Sequence, residues 1–463
     1  MDTPKLLTLI VALATVIVVG AVGYAILRPP VALLSGAAFD KTEISPNADG
    51  VDDVITIRYS LARPARISIY LDGPAGERFY FRKDERRGSG DYSVLFSGIV
   101  DGYTLPGENI PGTIERRLIP NGPYQWTIEA VRDGEIERAT GQLAVVNADS
   151  KLPIISSFDI HPPVFTPNQD GIRDRVSINI YLEKPANLSV YLEDASGTRY
   201  YLPEREKGRE PGDMGNHEFD YDGGVDQGME PPPDGVYDVF AVAQDDEGQR
   251  IVRQGQLTIQ DGGLPQVEIV PQTTGAVVYF GEMPYDDAYY TSMTAQGKTI
   301  PKPEGVVSDL TTLTMVQGNL LVFKLTVSNY GSTPIRTTGP FPGTVYQFNQ
   351  QAASLGAYEE SGAWRIGIKC DTSLSDFPWR WALAPRDEVE EVYDEETGKT
   401  YYYLQPGQQA EVWGAIRMTE LITARNPQDC WAGLIHEDVG IPAFQSRVGA
   451  REIELVPPPD VND

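Results

Sequence analysis

Hydrophobic positions fall into two patterns along this chain. Residues 6–27, LLTLIVALATVIVVGAVGYAIL, form one run of 22 residues without a charge. At about 1.5 Å per residue such a helix matches the ~30 Å hydrocarbon core of a bilayer. The run exceeds the roughly 7–15 apolar residues of a cleavable signal, although Ala21 and Gly23 offer a weak cleavage site. The expectation is an uncleaved anchor, with residues 1–28 forming a cytoplasmic tail and transmembrane helix. Lys5 and Arg28 flank the run on opposite sides, so the positive-inside rule barely decides orientation; the N-terminus is placed inside. Beyond it the period changes to two. Ile55, Ile57, Tyr59 and Leu61 alternate with more polar neighbours, as do Val176, Ile178, Ile180 and Leu182, and then Ile67, Ile69, Leu71 and Leu188, Val190, Leu192. That is the pattern of half-buried strands. Further strands are predicted near 92–96, 124–131, 136–146, 236–243 and 250–259.

The two sets of strands belong to an internal repeat. SPNADGVDD at 45–53 returns as TPNQDGIRD at 166–174, and the offset of 121 holds from Pro46/Pro167 to Gly76/Gly197. The copies meet again at Asn121-Gly122 and Asp234-Gly235, and at Gly141-Gln142-Leu143 and Gly255-Gln256-Leu257, with a longer insertion in the first copy before Pro120. The predicted organisation is a tether at 29–37, β-sandwich repeats at 38–150 and 151–262, a larger β-sandwich at 263–457 and a mobile tail at 458–463. Similar linkers, Asp149-Ser-Lys-Leu-Pro153 and Asp261-Gly-Gly-Leu-Pro265, close each repeat. Short linkers imply limited flexing. The fold class is all-β, tandem sandwiches behind one N-terminal helix.

The segment Phe165-Thr-Pro-Asn-Gln-Asp-Gly-Ile-Arg-Asp174, with Tyr221-Asp222-Gly223 and Pro233-Asp234-Gly235-Val236-Tyr237 further on, resembles the immunoglobulin-like domain of the flagellar hook-cap protein and the related gliding-motility C-terminal domains. The resemblance covers roughly 37–262 and implies a sandwich fold and an extracytoplasmic, modular role. In gliding-motility proteins the related domain is C-terminal and can act as a secretion signal; here both copies are internal.

The repeated N-x-D-G-x-x-D places Asn47, Asp49 and Asp53, and Asn168, Asp170 and Asp174, in tight loops. Clustered oxygens suit calcium. Asx turns explain the same residues without a metal, since Asn and Asp side chains accept backbone N–H groups and Gly takes positive φ. Both readings stand at this stage.

Residues 264–457 hold both cysteines and five of the six tryptophans. Residues 320–331 alternate and resemble, weakly and locally, the V-x-N-x-G strand of bacterial cell-adhesion-related immunoglobulin-like modules. A hairpin is expected over 389–404 and a strand over 410–416. The stretch 272–310, with Tyr279, Tyr285, Tyr289 and Tyr290, reads as an extended surface excursion. Cys370 and Cys430 are a candidate disulfide if the domain lies outside, the alternative being two buried thiols. Trp379 and Trp381, at i and i+2, share one side of a strand. They are candidates for a partner or glycan contact, and core filling is the commoner use of such residues.

Composition narrows function. With 38 Lys plus Arg against 66 Asp plus Glu the charge is −28, which disfavours nucleic acid, whose binding rests on cations. His161, His217 and His436 are scattered, and no nucleophile elbow, metal-binding H-E-x-x-H or phosphate loop is present. The expectation is a non-enzymatic, single-pass protein of the cell surface or periplasm. Its two repeats are spacers presenting a distal domain to an envelope or surface protein. A carbohydrate-binding module beside an envelope enzyme is the alternative.

Overall fold

The computed structural model describes residues 3–27, 32–205, 210–272, 275–286, 299–305 and 311–459, with side chains of the first helix described at 8–20 and 22. The helix Thr3–Leu27 is followed by strands throughout, interrupted by short 3-10 turns. Every described side chain of the helix is exposed. Among the described residues no helix is long and apolar enough to cross a membrane; the expected span of 6–27 lies within the helix Thr3–Leu27.

The first repeat packs a three-stranded sheet, Leu34–Phe39, Ile55–Leu61 and Gly90–Phe96, against a five-stranded one. The latter runs Glu43–Ile44, Glu135–Val145, Gly122–Arg132, Ala65–Asp72, Arg78–Arg87. Ile55, Ile57, Tyr59, Leu61, Ile67, Ile69 and Leu71 all enter its core, beside Trp126 and Ile128. The boundary differs from expectation. Leu33 and Leu34 are buried in this core, and Leu34–Phe39 pairs with Ile55–Leu61, so the sandwich takes in the last part of the tether assigned to 29–37. Apolar Leu33 and Leu34 gain by leaving water.

The second repeat builds the same sandwich. Ile155–His161, Val176–Leu182 and Gly215–Tyr221 face a sheet of Arg199–Leu202, Asn187–Glu193, Gly235–Gln244 and Arg250–Ile259. This second sheet does not stop at the domain boundary. Thr113–Leu118 of the first repeat pairs antiparallel with Arg250–Ile259, and Ile99–Asp101 pairs with Thr113–Leu118 in turn. The insertion that distinguishes the first copy is thus a hairpin that extends its neighbour's sheet.

The third domain is a larger sandwich. One sheet centres on Leu320–Asn329 and Gln409–Arg417, flanked by Val267–Ile269, Tyr279–Met283 and Val345–Gln347; the other centres on Trp364–Cys370 and Gln428–His436. The hairpin forms from Glu390–Asp394 and Lys399–Leu404. The expected excursion over 272–310 is partly ordered structure: Tyr279–Met283 pairs with Leu320–Lys324, and Val278 and Phe280 are core residues. Apolar Val278 and Phe280 draw that stretch onto the sheet. Tyr289 and Tyr290 lie outside the described residues, as do positions 460–463 of the expected mobile tail.

Candidate functional site

The motif loops obey one local logic. In the first repeat Asp53 accepts the backbone N–H of Asn47 and Ala48 (both 3.0 Å) on one oxygen and that of Gly50 (2.7 Å) on the other. Asn47 Oδ1 accepts Asp49 N–H at 3.1 Å, Asp49 Oδ1 accepts Val51 N–H at 2.8 Å, and Asp49 Oδ2 accepts Asn47 Nδ2 at 3.1 Å. In the second, Asp174 accepts Asp170 N–H (3.1 Å) and Gly171 N–H (2.6 Å), Asn168 accepts Asp170 N–H (3.0 Å), and Asp170 accepts Ile172 N–H (2.8 Å). These bonds hold Ala48 and Gln169 at φ 60° and 59°, and Asp52 and Arg173 at 57° and 56°, left-handed values that non-glycine residues rarely adopt. Every side-chain oxygen of Asn47, Asp49 and Asp53, and of Asn168, Asp170 and Asp174, accepts at least one hydrogen bond, that of Asp170 Oδ2 coming from Tyr403. As arranged, both donor sets serve turns. Among the described residues no group of three or more His, Cys, Asp or Glu is placed to hold a metal.

The two loops differ in surroundings. Each lies beside its own exit linker: Asp149 N–H donates to the Pro46 carbonyl at 3.1 Å, and Gly263 N–H to the Pro167 carbonyl at 3.0 Å. The first loop is otherwise exposed. The second is pressed against the third domain. Tyr403 Oη donates to Asp170 Oδ2 at 3.1 Å, His436 Nε2 meets the Gln169 carbonyl at 2.8 Å, Arg173 pairs with Asp394, and Arg336 donates to the Asp170 carbonyl. Arg336 also bonds the Ser361 carbonyl (3.0 Å) and Glu360 (2.7 Å). Burial sets opposite protonation preferences. With Asp174 adding to the effect, burial pushes the Asp170 carboxyl up to about 7. Burial also pushes His436 down to about 4, its ring stacked on Trp364 with centroids 4.1 Å apart. Asp53, the counterpart of Asp174, is held below the usual range by backbone N–H groups, that of Asn47 foremost.

The joint between the repeats uses other means. Gln249, wholly buried, donates to the carbonyls of Asp149 (3.1 Å) and Lys151 (2.9 Å) and to Asp245 (2.9 Å). Lys184 pairs with Asp149 at 3.0 Å and with Asp245 and Glu247, each at 2.8 Å. Burial opposes its charge, but these carboxylates prevail and hold its ammonium above the ordinary range. Arg250 bonds Glu115 of the inserted hairpin at 2.6 Å.

Other candidate residues fall elsewhere. Cys370 and Cys430 stand opposite one another on neighbouring strands and are joined, S–S 1.98 Å. Trp379 and Trp381 do not form a surface: both are 0% exposed. Their shared side faces the core, where Trp381 meets Phe323 and Tyr346, and Trp379 meets Phe348. The exposed large apolar side chains of this domain include Tyr358 (68%), Leu374 (85%) and Phe444 (98%), residues that no pattern in the sequence distinguishes. His161 is exposed, while buried His217 contacts Glu204 (2.5 Å) and the Asp213 carbonyl (2.6 Å).

No known protein family matches this chain, and no curated protein matches it. Its structural neighbours are fibronectin type-III, immunoglobulin-like and adhesin repeat domains. A two-domain fibronectin type-III segment of chicken tenascin aligns at 11% identity over 48% of this chain and 97% of that one, TM-score 0.16. A bacterial ice-binding adhesin aligns at 12% identity over 92% and 98%, TM-score 0.18. A tetra-tandem repeat from the extending region of a large adhesion protein aligns at 10% identity over 86% and 81%, TM-score 0.14. At such scores none of them bears on what this chain does, and the assignment to tandem β-sandwiches rests on its own sheets.

Proposed function

We propose that this chain is a membrane-anchored, extracytoplasmic spacer and scaffold, without catalytic activity, that presents its third domain to a protein partner of the envelope or cell surface. The observation that carries the reading is the pair of packed joints, which couple three sandwiches in series. A hairpin bonded across one boundary and a motif loop bonded across the other suit a part that must hold a distance. The helix supports anchorage: it exposes apolar side chains on all sides, the character of a segment whose solvent is lipid. The likeness of the motif loops to those of hook-cap and gliding-motility domains is in keeping with an extracytoplasmic, modular role.

Exposed Tyr358, Leu374 and Phe444 replace the buried tryptophans as the positions proposed for that contact. Crosslinking and mass spectrometry on intact cells tests the reading. Crosslinks from the third domain to an envelope protein, reduced in Leu374→Asp and Phe444→Ser chains of unchanged melting temperature, are expected. Crosslinks confined to cytoplasmic proteins would sink it.

A further inference from the structure

The strand register identifies the end of the first repeat nearest the helix. Leu33 accepts the backbone N–H of Ala62, Leu34 stands opposite Leu61, Leu61 opposite Gly90, Ala65 opposite Arg87, and Arg66 opposite both Arg86 and Val131. One end of the sandwich therefore gathers the entry of the chain, the turn at 62–64, the turn at 88–89 and the hairpin tip at 133–134. From Leu27 to Leu33 the chain reaches at most roughly 20 Å. If the helix is in a bilayer, this end faces it closely.

That end carries an arginine cleft in an acidic molecule. Arg66, Arg86, Arg87 and Arg132 line a hollow of about 370 Å³ together with Pro64, Ala65 and Val131, and Asp133 is the one acidic side chain lining it. Arg66 pairs with Asp84, Arg87 with Glu85 (2.7 Å) and Arg132 with Asp133 (3.2 Å), all partly exposed; Arg86 has no ion-pair partner among the described residues. Exposed pairs of this kind are weak and exchange readily for another anion, and guanidinium groups match phosphate oxygens in pairs. The charge is graded along the chain. Lys and Arg number 13 against 18 Asp and Glu over 32–150, 10 against 21 over 151–262, and 13 against 26 beyond. An anionic surface repels the distal domains and tolerates only this end.

We propose that the base of the first repeat binds the headgroups of anionic lipids through Arg66, Arg86, Arg87 and Arg132, setting the stalk upright on the membrane. The inference rests on the anchor reading. Tethering supplies a high local lipid concentration, so weak headgroup contacts suffice. The distal acidity drives the rest of the molecule away from the surface.

The test uses the full chain in vesicles of phosphatidylcholine, with and without phosphatidylglycerol. A donor dye is placed at exposed Ser89 through Ser89→Cys, and an acceptor on lipid headgroups. Energy transfer is expected to rise about twofold with phosphatidylglycerol. The rise should vanish at high salt, in Arg86→Gln/Arg132→Gln, and in Arg86→Glu, which disturbs no existing pair. Equal transfer on both lipids, or an unchanged rise in the Arg86→Glu chain, overturns the proposal. Flotation separates it from the anchor: a chain that floats only with anionic vesicles lacks the anchor and keeps the headgroup site, whereas one that floats with neither loses both.

Discussion

At the scale of single residues, the same motif has been put to two uses. Gly50 and Gly171 sit at φ 84° and 82°, yet a Cβ at Gly50 meets nothing within 4 Å, while one at Gly171 falls 2.1 Å from the Ser361 carbonyl oxygen of the third domain. Gly50→Ala should therefore lower the stability of its repeat by about 1 kcal/mol, the penalty of the left-handed backbone. Gly171→Ala carries that penalty and also separates the loop from the third domain, so calorimetry should show the third domain unfolding apart from the second. Protonation offers a sharper measurement. Asp170, raised to about 7 by burial, contributes stability that is complete below its unfolded value near 4 and lost as pH rises through 7. His436, lowered to about 4, contributes stability that is complete above its unfolded value near 6.5 and lost as pH falls through 4. The two slopes oppose each other, so the joint should change little between about pH 4 and 6.5. Asp170→Asn should make it weaken on acidification, and His436→Gln should make it weaken toward neutrality. Melting curves of the two variants that shift with pH in the same direction would refute this account.

At the scale of elements, the joint between repeats depends on a strand entering a foreign sheet. Gly112 makes the approach: a Cβ there lies 2.5 Å from the Val252 carbonyl oxygen. Gly112→Val should lift the hairpin from Arg250–Ile259, and spin-label distances between the two repeats should broaden while each sandwich keeps its own melting transition. The elements themselves were largely legible in the sequence, because alternation such as Ile55-Ile57-Tyr59-Leu61 names the core face and an offset of 121 residues proves the strand twice. Their partners were not. Ile114 and Ile251 stand opposite across 137 positions, and nothing local to either states that they meet. The tryptophans show the same limit: the spacing of Trp379 and Trp381 shows that they share a side, but which side is covered depends on strands brought over from Leu320–Asn329 and Val345–Gln347. The loop residues were legible as turns because a single hydrogen-bonding pattern satisfies all of them. That Asp170 is buried while Asp49 is open follows from the neighbouring domain and leaves no mark on the motif.

At the scale of the whole molecule, the third domain depends on a covalent tie that the repeats lack. The bond between Cys370 and Cys430 closes a separation of 60 residues inside one sheet. Removing it by Cys370→Ala/Cys430→Ala should lower the stability of that domain by about 3–4 kcal/mol, on a chain-entropy account. The transitions of the two repeats should stay where they are, because neither cysteine touches a joint. A uniform loss across all three transitions would mean that the sandwiches unfold as one body.

The hairpin lent by the first repeat also imposes an order on biosynthesis. A chain made from its N-terminus completes the first sandwich while Thr113–Leu118 still has an open edge, and the strand that covers it, Arg250–Ile259, emerges more than 130 residues later. At ribosomal rates of roughly 5–20 residues per second, that edge stays bare for several seconds to half a minute. During that interval an uncovered strand is a template for any extended chain nearby. The nascent protein therefore passes through a window in which it needs shielding, and the arrival of the second repeat closes it.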